Sequence, residues 1–122
     1  MKKVALFILM VALYGCYYDR ENDLYPVSAS DCDTTDVSFV SDIKPVLTSH
    51  CIVCHSNSSA PTLGGGIKLE NYSDVKVQAL NGRLYGSVSA DPEYFVMPRD
   101  YRIPQCIVLK IKAWKNEGAQ DN

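Results

Sequence analysis

Two cysteines three apart followed at once by a histidine, Cys51-Ile52-Val53-Cys54-His55, form the stretch of this chain whose residue types and spacing could do chemistry. The spacing is that of a c-type haem attachment site. Each thiol adds to one vinyl group on the same edge of a porphyrin, and the adjacent imidazole then reaches the iron. One helical turn puts Cys51 and Cys54 on one face with His55 beside them. A thioredoxin-type dithiol and half of a zinc site use the same residue types, so both readings stand beside the haem one.

The other three of the five cysteines separate by position. Cys16 ends a hydrophobic leader, which leaves Cys32 and Cys106. An even remainder in an exported protein predicts a disulfide between them. Joining them closes a loop of about 75 residues, which chain entropy values at roughly 4 kcal/mol. Two free thiols, or a second redox dithiol, are the other uses open to that pair.

The elements that must position these residues occupy a chain of 122 residues, one domain at most. Its 47% hydrophobic content is that of an ordinary globular protein, neither disordered nor a membrane bundle. The net charge is −2, and loss of Lys2 and Lys3 with a leader leaves ten bases against fourteen acids, or −4. That balance argues against nucleic acid or an anionic surface as partner.

Lys2 and Lys3 followed by the apolar run from Val4 to Leu13 read as the basic and hydrophobic regions of a bacterial export signal. A spanning helix needs about 20 apolar residues, so the run is too short to be one. Leu13-Tyr14-Gly15-Cys16 resembles a lipobox, which implies a lipoprotein-type signal peptide over 1–15 and lipidation of Cys16. An ordinary signal peptide cut nearby, with a free thiol at Cys16, is the plainer alternative. Residues 16–31 are polar, hold Pro26 and lack any helical or strand period, as a flexible tether would. Some 15 residues of coil reach roughly 20 Å, which would keep the domain, 32–122, near the bilayer.

Within that domain the first helix is expected to begin near Ser41 as its cap, with Asp42 at the positive end and Pro45 tolerated in the first turn. Ile43, Val46 and Leu47 then share one buried face that leads into Cys51, and Phe39 just upstream is expected in the core. Gly64-Gly65-Gly66 has no Gly-Lys-Ser/Thr after it and no strand before it, so it reads as a flexible turn rather than a phosphate loop. A second helix is expected over Ser73 to Asn81, capped by Ser73 and stopped at Asn81-Gly82, with Val75 and Ala79 inward. Arg83, Leu84 and Tyr85 open a third. The last runs from about Pro104 to Glu117, with Ile107, Ile111 and Trp114 as its buried stripe and Gly118 as its stop.

Asp42-Ile43-Lys44-Pro45-Val46-Leu47 and, a few residues on, the cysteine-histidine pentapeptide resemble the opening of small bacterial cytochromes c of the monohaem, class I type. The closing helix, ending in Trp114 and Gly118-Ala119, is similar to theirs too. The resemblance implies an all-α fold of three to five helices around one covalently attached haem c. It implies His55 as one axial ligand and a downstream methionine as the other. Met1 and Met10 fall in the leader, so Met97, 42 residues past His55 and followed by Pro98, is the thioether left for that place. A lone methionine is otherwise core filler. His50 directly precedes Cys51 and ranks well behind Met97. In the related proteins a carbonyl near a proline accepts the imidazole's other N–H, and Pro61 marks where that contact is expected. Arg83 is a candidate partner for a haem propionate, and equally a solvated arginine.

These readings converge on a membrane-anchored electron carrier facing the periplasm or cell surface, with redox proteins at the same membrane as partners and no catalysis of its own. A thioether opposite imidazole raises the reduction potential. If Met97 is not a ligand, a five-coordinate haem acting as gas sensor or weak peroxidase is the alternative. A haem-free dithiol or zinc module is the other. Thioredoxin motifs sit in a βαβ pattern that this chain lacks, and a zinc site needs a fourth ligand beyond Cys51, Cys54 and His55.

Overall fold

The computed structural model describes residues 31–122. The expected signal peptide, the lipidation site Cys16 and nearly all of the expected tether lie outside the described residues. Among those described, the regular elements are helical and none is a strand. A π-helical turn, Phe39–Ile43, runs into α1, Lys44–His50; then come α2, Ile52–His55, α3, Tyr72–Leu80, α4, Arg83–Ser89, and α5, Gln105–Asn116. No helix among them is long and apolar enough to cross a membrane.

The first helix is capped by Ser38 rather than Ser41. Ser38 Oγ accepts from the Ser41 N–H at 3.2 Å, and Asp42 Oδ2 accepts from the Ser38 N–H at 3.0 Å. The two residues thus satisfy each other's free donors, as in a capping box. The cap moved upstream because the turn before Pro45 is wide: Ile43 N–H reaches Ser38 O at 3.2 Å, five residues back. Pro45 has no N–H to return to Ser41, and a π turn absorbs the extra residue. As expected, Ile43 and Leu47 are buried, while Val46 is half-buried against the core.

α5 supplies the opposite wall. Ile111 and Trp114 are buried as the stripe predicted, but Val108 takes the third buried place and Ile107 is half-buried against the core. The helix is rotated slightly from the expected face. Trp114 stacks on Phe39 with centroids 5.6 Å apart, and Tyr72 meets Phe39 edge-on at 5.0 Å. This aromatic trio pins α5 and α3 to the π turn. Buried aromatic polar groups need partners, and both have them: Trp114 Nε1 donates to Gln120 O at 2.9 Å and Tyr72 Oη to Ala119 O at 2.8 Å. Gly118, at φ +90°, turns the chain so that these carbonyls come within reach.

α3 starts at Tyr72, with Asn71 at its N-cap and no side-chain cap bond, so Ser73 lies inside the helix and does not cap it. Val75 and Ala79 are fully buried as predicted, and Gly82 at φ +85° makes the stop between α3 and α4. Cys32 and Cys106 form a disulfide, tying the start of the domain to the first turn of α5. Cross-linking residues 74 apart removes much of the unfolded chain's freedom. A domain of about 90 residues with a small core gains from such a staple.

Candidate functional site

α1 and α2 are nearly one helix, broken at Cys51, whose φ of −122° and ψ of −37° leave the α region. Hydrogen bonding continues through the break: Cys51 N–H donates to Leu47 O at 2.8 Å, and His55 N–H to Cys51 O at 2.9 Å. One turn therefore carries Cys51, Cys54 and His55 together. Cys51 and Cys54 are both free thiols, the first half-buried against the core and the second exposed. Burial pushes the Cys51 thiol up to about 11, so it is protonated at neutral pH. The attacking thiol of a disulfide-exchanging pair needs the reverse shift, so burial makes Cys51 a poor candidate for that one role.

His55 is held at two points by the loop that follows it, one on its imidazole and one on its backbone. Its Nδ1 lies 2.9 Å from Ile67 O, and its own backbone carbonyl accepts from Leu69 N–H at 2.8 Å. The contact expected near Pro61 is made by Ile67 instead, because the loop doubles back before it passes the ring. Gly64 N–H and Gly66 N–H both donate to Ala60 O, at 3.1 and 2.8 Å. The glycine triplet is thus a hydrogen-bonded turn. Asn57 N–H donates to Glu70 Oε2 at 2.6 Å and closes the loop's base.

Gly64 has a role that the sequence reading missed. A Cβ there would lie 2.6 Å from Cys54 O and 2.8 Å from His55 Nδ1. Only glycine lets the backbone come this close to the ring. Glycine runs are common in turns, and which of the three packs against the histidine depends on how the loop folds back.

Met97 stands in the segment between α4 and α5, half-buried, with its N–H donating to Ser87 O at 3.0 Å. Tyr94, upstream of it, lies against α4 where Gly86 leaves room: a Cβ on Gly86 would overlap the Tyr94 ring. Downstream, Tyr101 Oη lies 2.8 Å from His50 Nδ1. His50 is therefore engaged with a phenol at the end of α1. Arg83 opens α4, its N–H donating to Asn81 Oδ1 at 3.0 Å.

The residues present fit a covalently held haem c. Two unpaired thiols and a histidine share one turn. With the proton on Nδ1 shared with Ile67 O, Nε2 keeps its lone pair for a metal, the arrangement that fixes tautomer and ring direction in ligating histidines. A zinc site fits less well. Among the described residues no three histidine, cysteine or acidic side chains stand close enough to hold a metal ion between them. Cavities of about 290 and 220 Å³ lie elsewhere, the first lined by Val37, Trp114 and Asn122 and the second by Phe39, Leu47 and Leu69. Neither is lined by the cysteines, His55 or Met97.

Comparison with known proteins adds one partial likeness. Over 81 residues the chain is 28% identical to hydrazine synthase subunit alpha of Kuenenia stuttgartiensis, covering 65% of this chain and 10% of that subunit. The chain spans about a tenth of that relative's length. No family model and no solved structure matches it.

Proposed function

We propose that residues 32–122 form a monohaem c-type cytochrome domain that carries single electrons, built on the small cytochrome c-like fold. Cys51 and Cys54 are the thioether attachment points, His55 is the proximal ligand and Met97 the distal one. The observation that carries this reading is the state of His55. Its Nδ1 is engaged by Ile67 O, its backbone is held by Leu69, and its Nε2 is left to bind metal beside two free thiols. Haem bound there would supply one-electron chemistry.

The chain's own residues do the rest. The Ile67 carbonyl makes His55 a stronger donor and holds its ring in one orientation. His55 and Met97 would both hold the group as ligands, and electron carriage is the role this pair of ligands would leave it. A thioether opposite imidazole favours the reduced state and raises the potential. Cys16 would carry the lipid anchor, so that redox partners would be met at the membrane surface. The match to part of an enzyme subunit is consistent with a module that also works inside larger assemblies.

The test is expression of the full chain in a host with a haem-attachment system. A pyridine haemochrome spectrum should show one haem with two thioethers, and colour should stay with the polypeptide after denaturation and acid extraction. Colourless polypeptide overturns the reading. Cys54→Ala should leave at most one thioether and little mature protein. Met97→Ala should lower the midpoint potential and let carbon monoxide shift the ferrous Soret band. An unchanged potential would instead remove Met97 as ligand.

A further inference from the structure

Residues 90–104, which carry Met97, contain no helix or strand. Where such a segment sits is set by its attachments, not by regular hydrogen bonding of its own. On the N-terminal side it is held to α4, by the Met97 N–H on Ser87 O and by Tyr94 against Gly86. On the C-terminal side the attachment is to the helix that bears the haem motif. Tyr101 Oη is 2.8 Å from His50 Nδ1, and the two rings are 5.7 Å apart, inclined at 54°. His50 ends α1 and directly precedes Cys51. With the imidazole proton on Nε2, the phenol donates and Nδ1 accepts. This bond therefore spans from four residues after Met97 to one residue before the first attachment cysteine.

We infer that the Tyr101–His50 hydrogen bond is a positioning clasp for the distal ligand. It holds the Met97 segment against the motif-bearing helix and raises the fraction of molecules in which the thioether is on the iron. The inference rests on the haem reading above. Neither residue touches the iron; both act through Met97. Losing one net hydrogen bond shifts such an equilibrium by about fivefold. A ligand that competes with Met97 reads that shift directly, since its apparent affinity scales with the open fraction.

The experiment uses the haem-loaded full chain with imidazole as the competing ligand. It also follows the long-wavelength absorption band of a thioether bound to ferric haem. Tyr101→Phe and His50→Ala should each weaken that band and tighten imidazole about fivefold. The double variant should do no more than either alone, as for two halves of one interaction. His50→Asn, whose Oδ1 stands near the place of Nδ1, should recover most of the wild-type behaviour. Imidazole titrations of Tyr101→Phe and His50→Ala that coincide with wild type overturn the clasp and leave the proposed function standing. A wild-type chain without covalent haem overturns both together.

Discussion

His55 and Met97 are proposed for the same iron, yet the chain holds them by different means. His55 sits on a helical turn, and its supports lie within fourteen residues: Ile67 O on its ring, Leu69 N–H on its carbonyl, Gly64 close against it. Met97 sits in irregular chain, fastened to α4 through Ser87 and Tyr94 and to α1 through Tyr101, while its neighbour Phe95 is 85% exposed. Local hydrogen bonds form and hold with the turn that makes them. Attachments between distant elements depend on the whole domain being assembled. The difference teaches that the two ligand positions should fail separately, the histidine side by steric damage and the methionine side by loosening.

The largest effect is expected at the histidine side. In Gly64→Ala the new methyl meets a backbone carbonyl at 2.6 Å and the imidazole at 2.8 Å, and neither can move without breaking the turn. Overpacking of this kind costs about 1–3 kcal/mol, and here the upper end applies because the nearest obstructing atom is a backbone carbonyl oxygen and the next is a ring held by its own hydrogen bond. The variant should incorporate little haem, read as haem per polypeptide, and unfold at lower denaturant. Normal loading would mean that the close approach of Gly64 to the ring does not matter.

Gly86→Ala tests the methionine side by the same chemistry. Its Cβ would overlap a ring carbon of Tyr94, but the obstacle is a side chain on a segment without regular structure. Alanine also gains about 1 kcal/mol of helix propensity within α4, offsetting part of the clash. Tyr94 should swing away and take Met97 with it. Net destabilisation of about 1 kcal/mol is expected, with haem loading intact but the thioether absorption band diminished. Equal loss of loading in the Gly64 and Gly86 variants would erase the distinction between the two sides.

The asymmetry also governs what could be read from the sequence. The shared turn of Cys51, Cys54 and His55, the Trp114 helix, the inward Val75 and Ala79, and the Cys32–Cys106 pairing followed from spacing and counting, because periodicity and parity are local or arithmetic properties. The Ser41 cap failed because Ser38 is an equally good acceptor, and only the π turn ahead of Pro45 decides between them. Placing the imidazole's partner at Pro61 failed because the carbonyl that arrives depends on where the glycine turn reverses. The Tyr94–Gly86 and Tyr101–His50 contacts left no sequence signal: each joins an aromatic to a small or polar residue on another element. The histidine side was thus legible in outline, and what surrounds Met97 was not.

The smallest effect is expected from an ion pair that touches neither side. Asp42, in the π turn, meets Lys110 Nζ of α5 at 2.6 Å, with side chains 22% and 32% exposed. The hydrogen bond from Lys110, and after it the Ser38 N–H, holds the Asp42 carboxyl below its ordinary value. A depressed folded-state value means the pair stabilises the fold above the unfolded carboxyl's range, near pH 4, and stops doing so as pH falls through the folded value. Partial exposure keeps the contribution under about 1 kcal/mol. Asp42→Asn should therefore lower the thermal midpoint slightly at pH 7, with the gap to wild type closing below about pH 4. Haem loading and the thioether band should both stay unchanged. A shift in either would mean that α5 transmits to the ligands, and that the two sides share a support through the core rather than standing apart.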